Sequence, residues 1–123
     1  MYAAACGCTV YMFETQAASV TLIQNSMKIN TFSPSHVQIF HNVVCNLPIN
    51  SSLDVDNSEL STNASHTSTE VQTIQLDYIS WPSSIFILKI HVDDFLLDAL
   101  RSGRKLFREK RIRHLIFYYN TIM

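Results

Sequence analysis

Basic residues are concentrated in one stretch of the sequence, residues 101–114. This stretch holds seven of the nine Lys and Arg residues and a single acidic residue, Glu109. At about 100° per residue, a helix would place five of the cations on one side. These five are Arg101, Arg104, Lys105, Arg108 and Arg111. Cations spaced in this way can bind successive phosphates of a nucleic acid, with an affinity that falls as salt rises.

The same basic run has other interpretations, and the sequence leaves them open. It can be a nuclear-import address, because such addresses are short Lys- and Arg-rich segments. It can lie on an anionic membrane, helped by Leu106 and Phe107. It can also be an ordinary solvated helix face. We expect a contact surface for a protein partner or an anionic polymer, or else a face that meets only water.

A pair of aspartates lies between two apolar runs in "ILKIHVDDFLLDAL". The tetrapeptide His91-Val92-Asp93-Asp94 resembles the metal-binding turn in the palm of reverse transcriptases, where a tyrosine-x-Asp-Asp motif joins two strands. The resemblance implies that Asp93 and Asp94 hold divalent cations and that the chain is a fragment of such a palm. Capping the helix that follows is the other interpretation of the same two residues, since carboxylates stabilise a helix N-terminus.

Cysteine spacing argues against a metal site and against a disulfide framework. The count of three is odd, and Cys6-x-Cys8 with a distant Cys45 is not a zinc-ligand pattern. The two glycines cannot build a phosphate-binding loop, and no Gly-x-Ser-x-Gly turn occurs. We therefore expect no catalytic residue, no metal, no cofactor and no enzymatic activity.

Free thiols favour the cytoplasm or nucleus over secretion. The alternative is a secreted glycoprotein, because Asn50-Ser51-Ser52 and Asn63-Ala64-Ser65 are glycosylation sequons. No run approaches the roughly 18 apolar residues that a transmembrane helix needs. We expect no transmembrane segment.

The elements around these residues predict an α+β fold, a small irregular β-rich domain with a C-terminal amphipathic helix. Residues 1–45 form a β-rich segment, because runs such as "CTVYMF", "SVTLIQ" and "HVQIF" are β-branched and aromatic. Residues 46–69 form a polar, disordered linker. Residues 70–123 contain one or two strands, a basic helix over about 93–110 and an apolar tail, which can instead be a last strand.

Two features qualify this prediction. Within the helix, Asp98 can pair with Arg101 at i, i+3, and Gly103 is the one internal weakness. Over the whole chain of 123 residues, two glycines and three prolines provide little turn-forming chemistry. Poor order is therefore an alternative, as is a fragment or a reading frame never selected to fold. The sequence identifies no biochemical activity and predicts a small non-enzymatic protein whose basic helix is the contact surface.

Overall fold

The computed structural model describes residues 2–54, 59–61, 70–92 and 95–118. Contacts divide the chain into two compact units, and each unit is made of two segments. The first comprises Met1–Val43 and Ser51–Gln72, and the second comprises Val44–Asn50 and Thr73–Met123. Helices alternate with short strands in small separate sheets. This arrangement confirms the predicted α+β class and its irregular sheets.

The first unit contains two parallel strands joined by a helix, with a further short helix at the start of the chain. After the short helix α1 (Tyr2–Ala5), the chain forms β1 (Val10–Phe13), α2 (Ala17–Ile29) and β2 (Val37–Phe40). Strands β1 and β2 pair in parallel, from Val10 opposite Val37 to Phe13 opposite Phe40. Parallel neighbours require a crossover connection, and α2 provides it. The buried residues of this core are Ala4, Met27 and Val37, and Val10, Met12, Ile23, Phe32 and Ile39 pack against them.

Helix α2 departs from the β-rich segment predicted for residues 1–45. The run "SVTLIQ", predicted as a strand, lies inside this helix. Intrinsic strand preference is weak and depends on context. In the folded chain, Ile23 and Met27 lie one helical turn apart and both contribute to the core between α2 and the two strands. Packing of this helical face outweighs the strand preference of Val20 and Thr21. The predicted strands at "CTVYMF" and "HVQIF" are confirmed.

A sheet of four very short strands has the order β3-β6-β4-β5. The strands are β3 (Val43–Val44), β4 (Ser52–Asp54), β5 (Glu59–Ser61) and β6 (Glu70–Ile74). Strand β4 pairs antiparallel with β5 and β6. Residues 51–53 are buried, so the predicted disordered linker is corrected in this part. Its residues 55–58 and 62–69 lie outside the described residues.

The second unit contains another pair of parallel strands joined through helices. Its elements are the 3-10 helix η1 (Leu76–Tyr78), β7 (Ile85–Ile90), α3 (Leu96–Ser102), α4 (Arg104–Arg108) and β8 (Ile112–Phe117). Strands β7 and β8 are parallel, from Ile85 opposite Ile112 to Ile90 opposite Phe117. The C-terminal helix is confirmed, and residues 112–117 of the predicted apolar tail form a last strand. Of the described helices, none has the length and apolar character needed to cross a membrane.

Candidate anion-binding surface

The predicted basic helix is broken into α3 and α4 at Gly103, where the 3-10 helix η1 packs against it. The backbone N–H of Leu76 donates to Ser102 Oγ at 3.3 Å, and this hydroxyl donates to the Ala99 carbonyl at 2.6 Å. A Cβ atom on Gly103 would lie 3.4 Å from Leu76 Cδ1. A methyl group at this position would therefore only touch η1, and a larger side chain would displace it.

The new helix start created by the break is capped by Asp77 of η1. Its carboxylate accepts from the backbone N–H of Lys105 at 2.9 Å and from that of Leu106 at 3.1 Å. The first N–H groups of a helix have no partner within the helix, so a carboxylate at this position stabilises it. Contacts from η1 thus fix both short helices and the direction in which their basic side chains leave the backbone.

Four of the five predicted cations are exposed on these helices: Arg101, Arg104, Lys105 and Arg108. We call these four the basic surface. The opposite side of the helices contains Ala99, Ser102 and Leu106, which are all buried. The predicted separation of a basic side from a buried side is therefore confirmed.

Acidic neighbours contact two cations of the basic surface. Arg101 Nη1 lies 3.7 Å from Asp98 Oδ1, which confirms the predicted i, i+3 pair, and Lys105 Nζ lies 4.0 Å from Glu109 Oε1. Exposed ion pairs of this kind contribute at most about 1 kcal/mol and are screened by salt. A phosphate can therefore compete for both cations. Within the described part of the chain, Arg104 and Arg108 have no ion pair or side-chain hydrogen bond.

Arg111, the fifth predicted cation, makes hydrogen bonds to the loop before β7. It is half-buried, and its guanidinium Nη2 donates to the carbonyls of Trp81 at 3.1 Å and Ser83 at 3.2 Å. Helix α4 ends at Arg108, and a positive φ of 55° at Lys110 turns the chain toward β8. Arg111 therefore holds the loop before β7 rather than extending the basic surface. A helical projection could not reveal this contact, because it joins residues about thirty positions apart.

The structure describes only part of the other predicted sites. Asp93 and Asp94, which carry the resemblance to the reverse transcriptase palm, lie outside the described residues, as does the sequon at Asn63. Asn50, the other sequon residue, is exposed with a φ of 67°. Throughout the described ranges, no group of three or more His, Cys, Asp or Glu side chains could hold a metal ion.

Sequence reasoning missed two exposed cations on the strands that flank these helices. Lys89 lies on β7, and Arg113 on β8 has its guanidinium carbon 5.8 Å from the centre of the Phe86 ring. The period-2 pattern of a strand could have separated Arg113 from the helical cations.

No protein-family model, curated protein or solved structure matches the chain. A functional proposal therefore depends on the geometry of this molecule alone. The strongest geometric feature is a set of four exposed cations on two short helices whose other side is buried.

Proposed function

We propose that the chain is a small, non-catalytic binding protein whose basic surface contacts the phosphates of nucleic acid. The observation that carries the proposal is the joint exposure of Arg101, Arg104, Lys105 and Arg108 on helices held in place by η1. A fixed array of cations neutralises neighbouring phosphates and releases their counterions, which provides affinity without base contacts.

Duplex nucleic acid fits this surface better than unpaired bases do. Single-strand binding sites combine cations with exposed aromatic rings on which bases stack. Phe107, the one aromatic residue of α4, is partly buried, and α3 contains none. Contacts limited to phosphates predict binding that is independent of base sequence and strongly dependent on salt.

Salt dependence gives a quantitative test. Each duplex phosphate contact contributes about −0.9 to the slope of log K against log salt, so four cations give a slope of up to about −3.6. We expect a slope of smaller magnitude because Asp98 and Glu109 compete with phosphates for Arg101 and Lys105. Fluorescence anisotropy with a labelled duplex of random sequence, titrated at several salt concentrations, measures this slope.

The informative variant is the double substitution Arg104→Ala and Arg108→Ala. Both side chains are exposed and have no side-chain partner among the described residues, so we expect folding to be preserved. The slope of log K against log salt should become less negative by about 1.8. Lys28→Ala removes an exposed cation from α2 and serves as the matched control, with an unchanged slope expected. Equal slopes for the parent and the double variant would refute nucleic-acid binding through this surface.

A further inference from the structure

Two exposed thiols lie on either side of a glycine at the end of helix α1. Cys6 and Cys8 are both exposed, whereas Cys45 is buried. Gly7, between the two exposed cysteines, has a φ of 87°, which is in the left-handed region. Among the described residues, a Cβ atom added to Gly7 would meet no atom within 4 Å beyond its chain neighbours. The two thiols are therefore accessible to small reagents from solvent.

Backbone hydrogen bonds fix the turn that carries the two thiols. The N–H of Cys8 donates to the Ala3 carbonyl at 3.1 Å, and the N–H of Gly7 donates to the Ala4 carbonyl at 3.0 Å. These two bonds around a left-handed glycine form the Schellman motif, which ends many helices. Ala4 is buried in the core of the first unit, so the turn is anchored to that core. The fold therefore sets the backbone positions of Cys6 and Cys8.

The left-handed turn at Gly7 gives the two cysteines a spacing that suits a disulfide. A residue in the left-handed α conformation places the Cα atoms of its neighbours about 5.4 Å apart, the mirror image of the spacing within a right-handed helix. Disulfides join residues whose Cα atoms are about 4.4–6.8 Å apart. An extended Cys-x-Cys segment would lie at the outer limit of this range, at about 6.8 Å. The turn therefore favours a bridge, and the exposed side chains of Cys6 and Cys8 can rotate toward each other.

We infer that Cys6 and Cys8 form a redox-active dithiol that exchanges with small disulfides such as glutathione disulfide. One cysteine loses its proton to water, and its thiolate attacks a glutathione sulfur and expels a glutathione thiolate. The thiolate of the other cysteine then attacks the protein sulfur of this mixed disulfide and expels the second glutathione thiolate. Each expelled thiolate takes up one proton. The two cysteines are thus oxidised to a Cys6–Cys8 disulfide, and glutathione disulfide is reduced to two thiols.

The fixed turn should make the second step fast, because the attacking thiolate is held beside the sulfur that it attacks. The product is an exposed bridge on the surface of the protein, and exposed disulfides are labile and readily reduced, unlike buried structural ones. The dithiol should therefore respond reversibly to the ratio of thiol to disulfide in solution. This inference concerns the first unit, goes beyond the proposed nucleic-acid contact and does not depend on it.

Incubation of the reduced full chain with glutathione disulfide in oxygen-free buffer, followed by acid quenching and mass spectrometry, tests the inference. We expect the parent to lose two hydrogen atoms and to retain no glutathione, and peptide mapping should locate the bridge between Cys6 and Cys8. Dithiothreitol should restore both thiols. Cys6→Ser and Cys8→Ser are the matched variants, and each should retain one glutathione because the second attacking thiol is absent. Both side chains are exposed, and a circular dichroism melt verifies that each variant folds.

The same reaction in urea tests the contribution of the turn. Because urea removes the Schellman motif, the mixed disulfide of the parent should persist at least about fivefold longer than in the folded chain. An equal lifetime in both conditions would overturn the inference, since the fold would then not position the thiols. A folded parent that accumulates two glutathione adducts would also overturn it. So would disulfide-linked dimers joined through Cys6 or Cys8, which would show that these thiols react between chains rather than with each other.

Discussion

The Asp77 carboxylate accepts a hydrogen bond from the backbone N–H of Lys105 at 2.9 Å, across 28 residues of sequence. Its second oxygen accepts from Leu106 at 3.1 Å. A helix of five residues cannot be stable through its own hydrogen bonds. Helix α4 therefore depends on this tertiary cap, and the orientation of the basic surface depends on α4.

Removal of the cap should destabilise the second unit. We expect Asp77→Ala to lower the free energy of unfolding by about 1–2 kcal/mol, the upper part of the range for N-terminal caps, because two N–H groups lose their acceptor. Asp98→Ala removes a carboxylate of the exposed Arg101 pair and should cost less than about 0.5 kcal/mol. Urea denaturation followed by circular dichroism measures both changes. Equal losses in the two variants would contradict the capping role.

Gly103 should tolerate one added methyl group and no more. Its φ of −106° is accessible to any residue, and an alanine Cβ would meet Leu76 Cδ1 at an ordinary contact distance of 3.4 Å. Gly103→Ala should raise the free energy of unfolding by about 0.4–1 kcal/mol because it restricts the unfolded chain. Gly103→Leu should instead destabilise by about 1–3 kcal/mol, since the larger side chain displaces η1. Denaturation midpoints of the two variants should shift in opposite directions.

Substitution of Arg111 should affect stability and substitution of Arg108 should affect binding, although both residues belong to the same basic run. Arg111→Ala removes two charge-assisted hydrogen bonds to Trp81 and Ser83 and should cost about 1.5–3 kcal/mol of stability. Its effect on duplex binding should be small at temperatures where the variant is folded. Arg108→Ala should leave the melting temperature unchanged and reduce the salt dependence of binding. If Arg111→Ala instead reduced the salt dependence of binding and Arg108→Ala instead reduced stability, Arg111 would belong to the basic surface and Arg108 would not.

The sequence predicted the features that depend on local pattern. The helical spacing placed Arg101, Arg104, Lys105 and Arg108 on one side of the C-terminal helix, and β-branched and aromatic runs located β1 and β2. The break at Gly103 was visible only as a weak position. The break is caused by the approach of Leu76 and the cap from Asp77. These contacts join residues far apart in the sequence, so the spacing of residues within the helix could not predict them.

Helix α2 shows the opposite failure, in which local preference was misleading. Val20, Thr21 and Ile23 favour strands, yet Met27 is buried and Ile23 partly buried on one helical face, in the core that also contains β1 and β2 residues. The i, i+4 spacing of these two residues was the available signal. The pairing of β1 with β2 and of β7 with β8 in parallel could not be predicted either, since strand pattern does not encode which strands become neighbours.

Cys45 should be the least reactive thiol of the chain. Its side chain is 2% exposed, whereas Cys6 and Cys8 are exposed. Burial raises the pKa of the Cys45 thiol above its ordinary value of 9.0, and the negative charge of Asp98 raises this pKa further. Because the thiolate is the nucleophile, iodoacetamide should modify Cys6 and Cys8 first in the native chain. Mass spectrometry of the partly alkylated protein identifies the order of modification. A rate of Cys45 alkylation that is equal before and after denaturation in urea would contradict the prediction.

The same raised pKa predicts how stability changes with pH. As pH rises through about 9, the thiol of the unfolded chain loses its proton while the buried Cys45 thiol of the folded chain keeps its own. Unfolding then releases a proton and becomes more favourable, with a loss of up to about 1.4 kcal/mol per pH unit until the folded thiol also ionises. Cys45→Ala removes this contribution, whereas other titrating groups affect both proteins alike. The stability difference between parent and variant should therefore shrink between pH 8 and pH 10 in urea titrations, because the parent alone loses the thiol contribution over about this range. A difference that stays constant over this range would show that Cys45 ionises equally readily in both states.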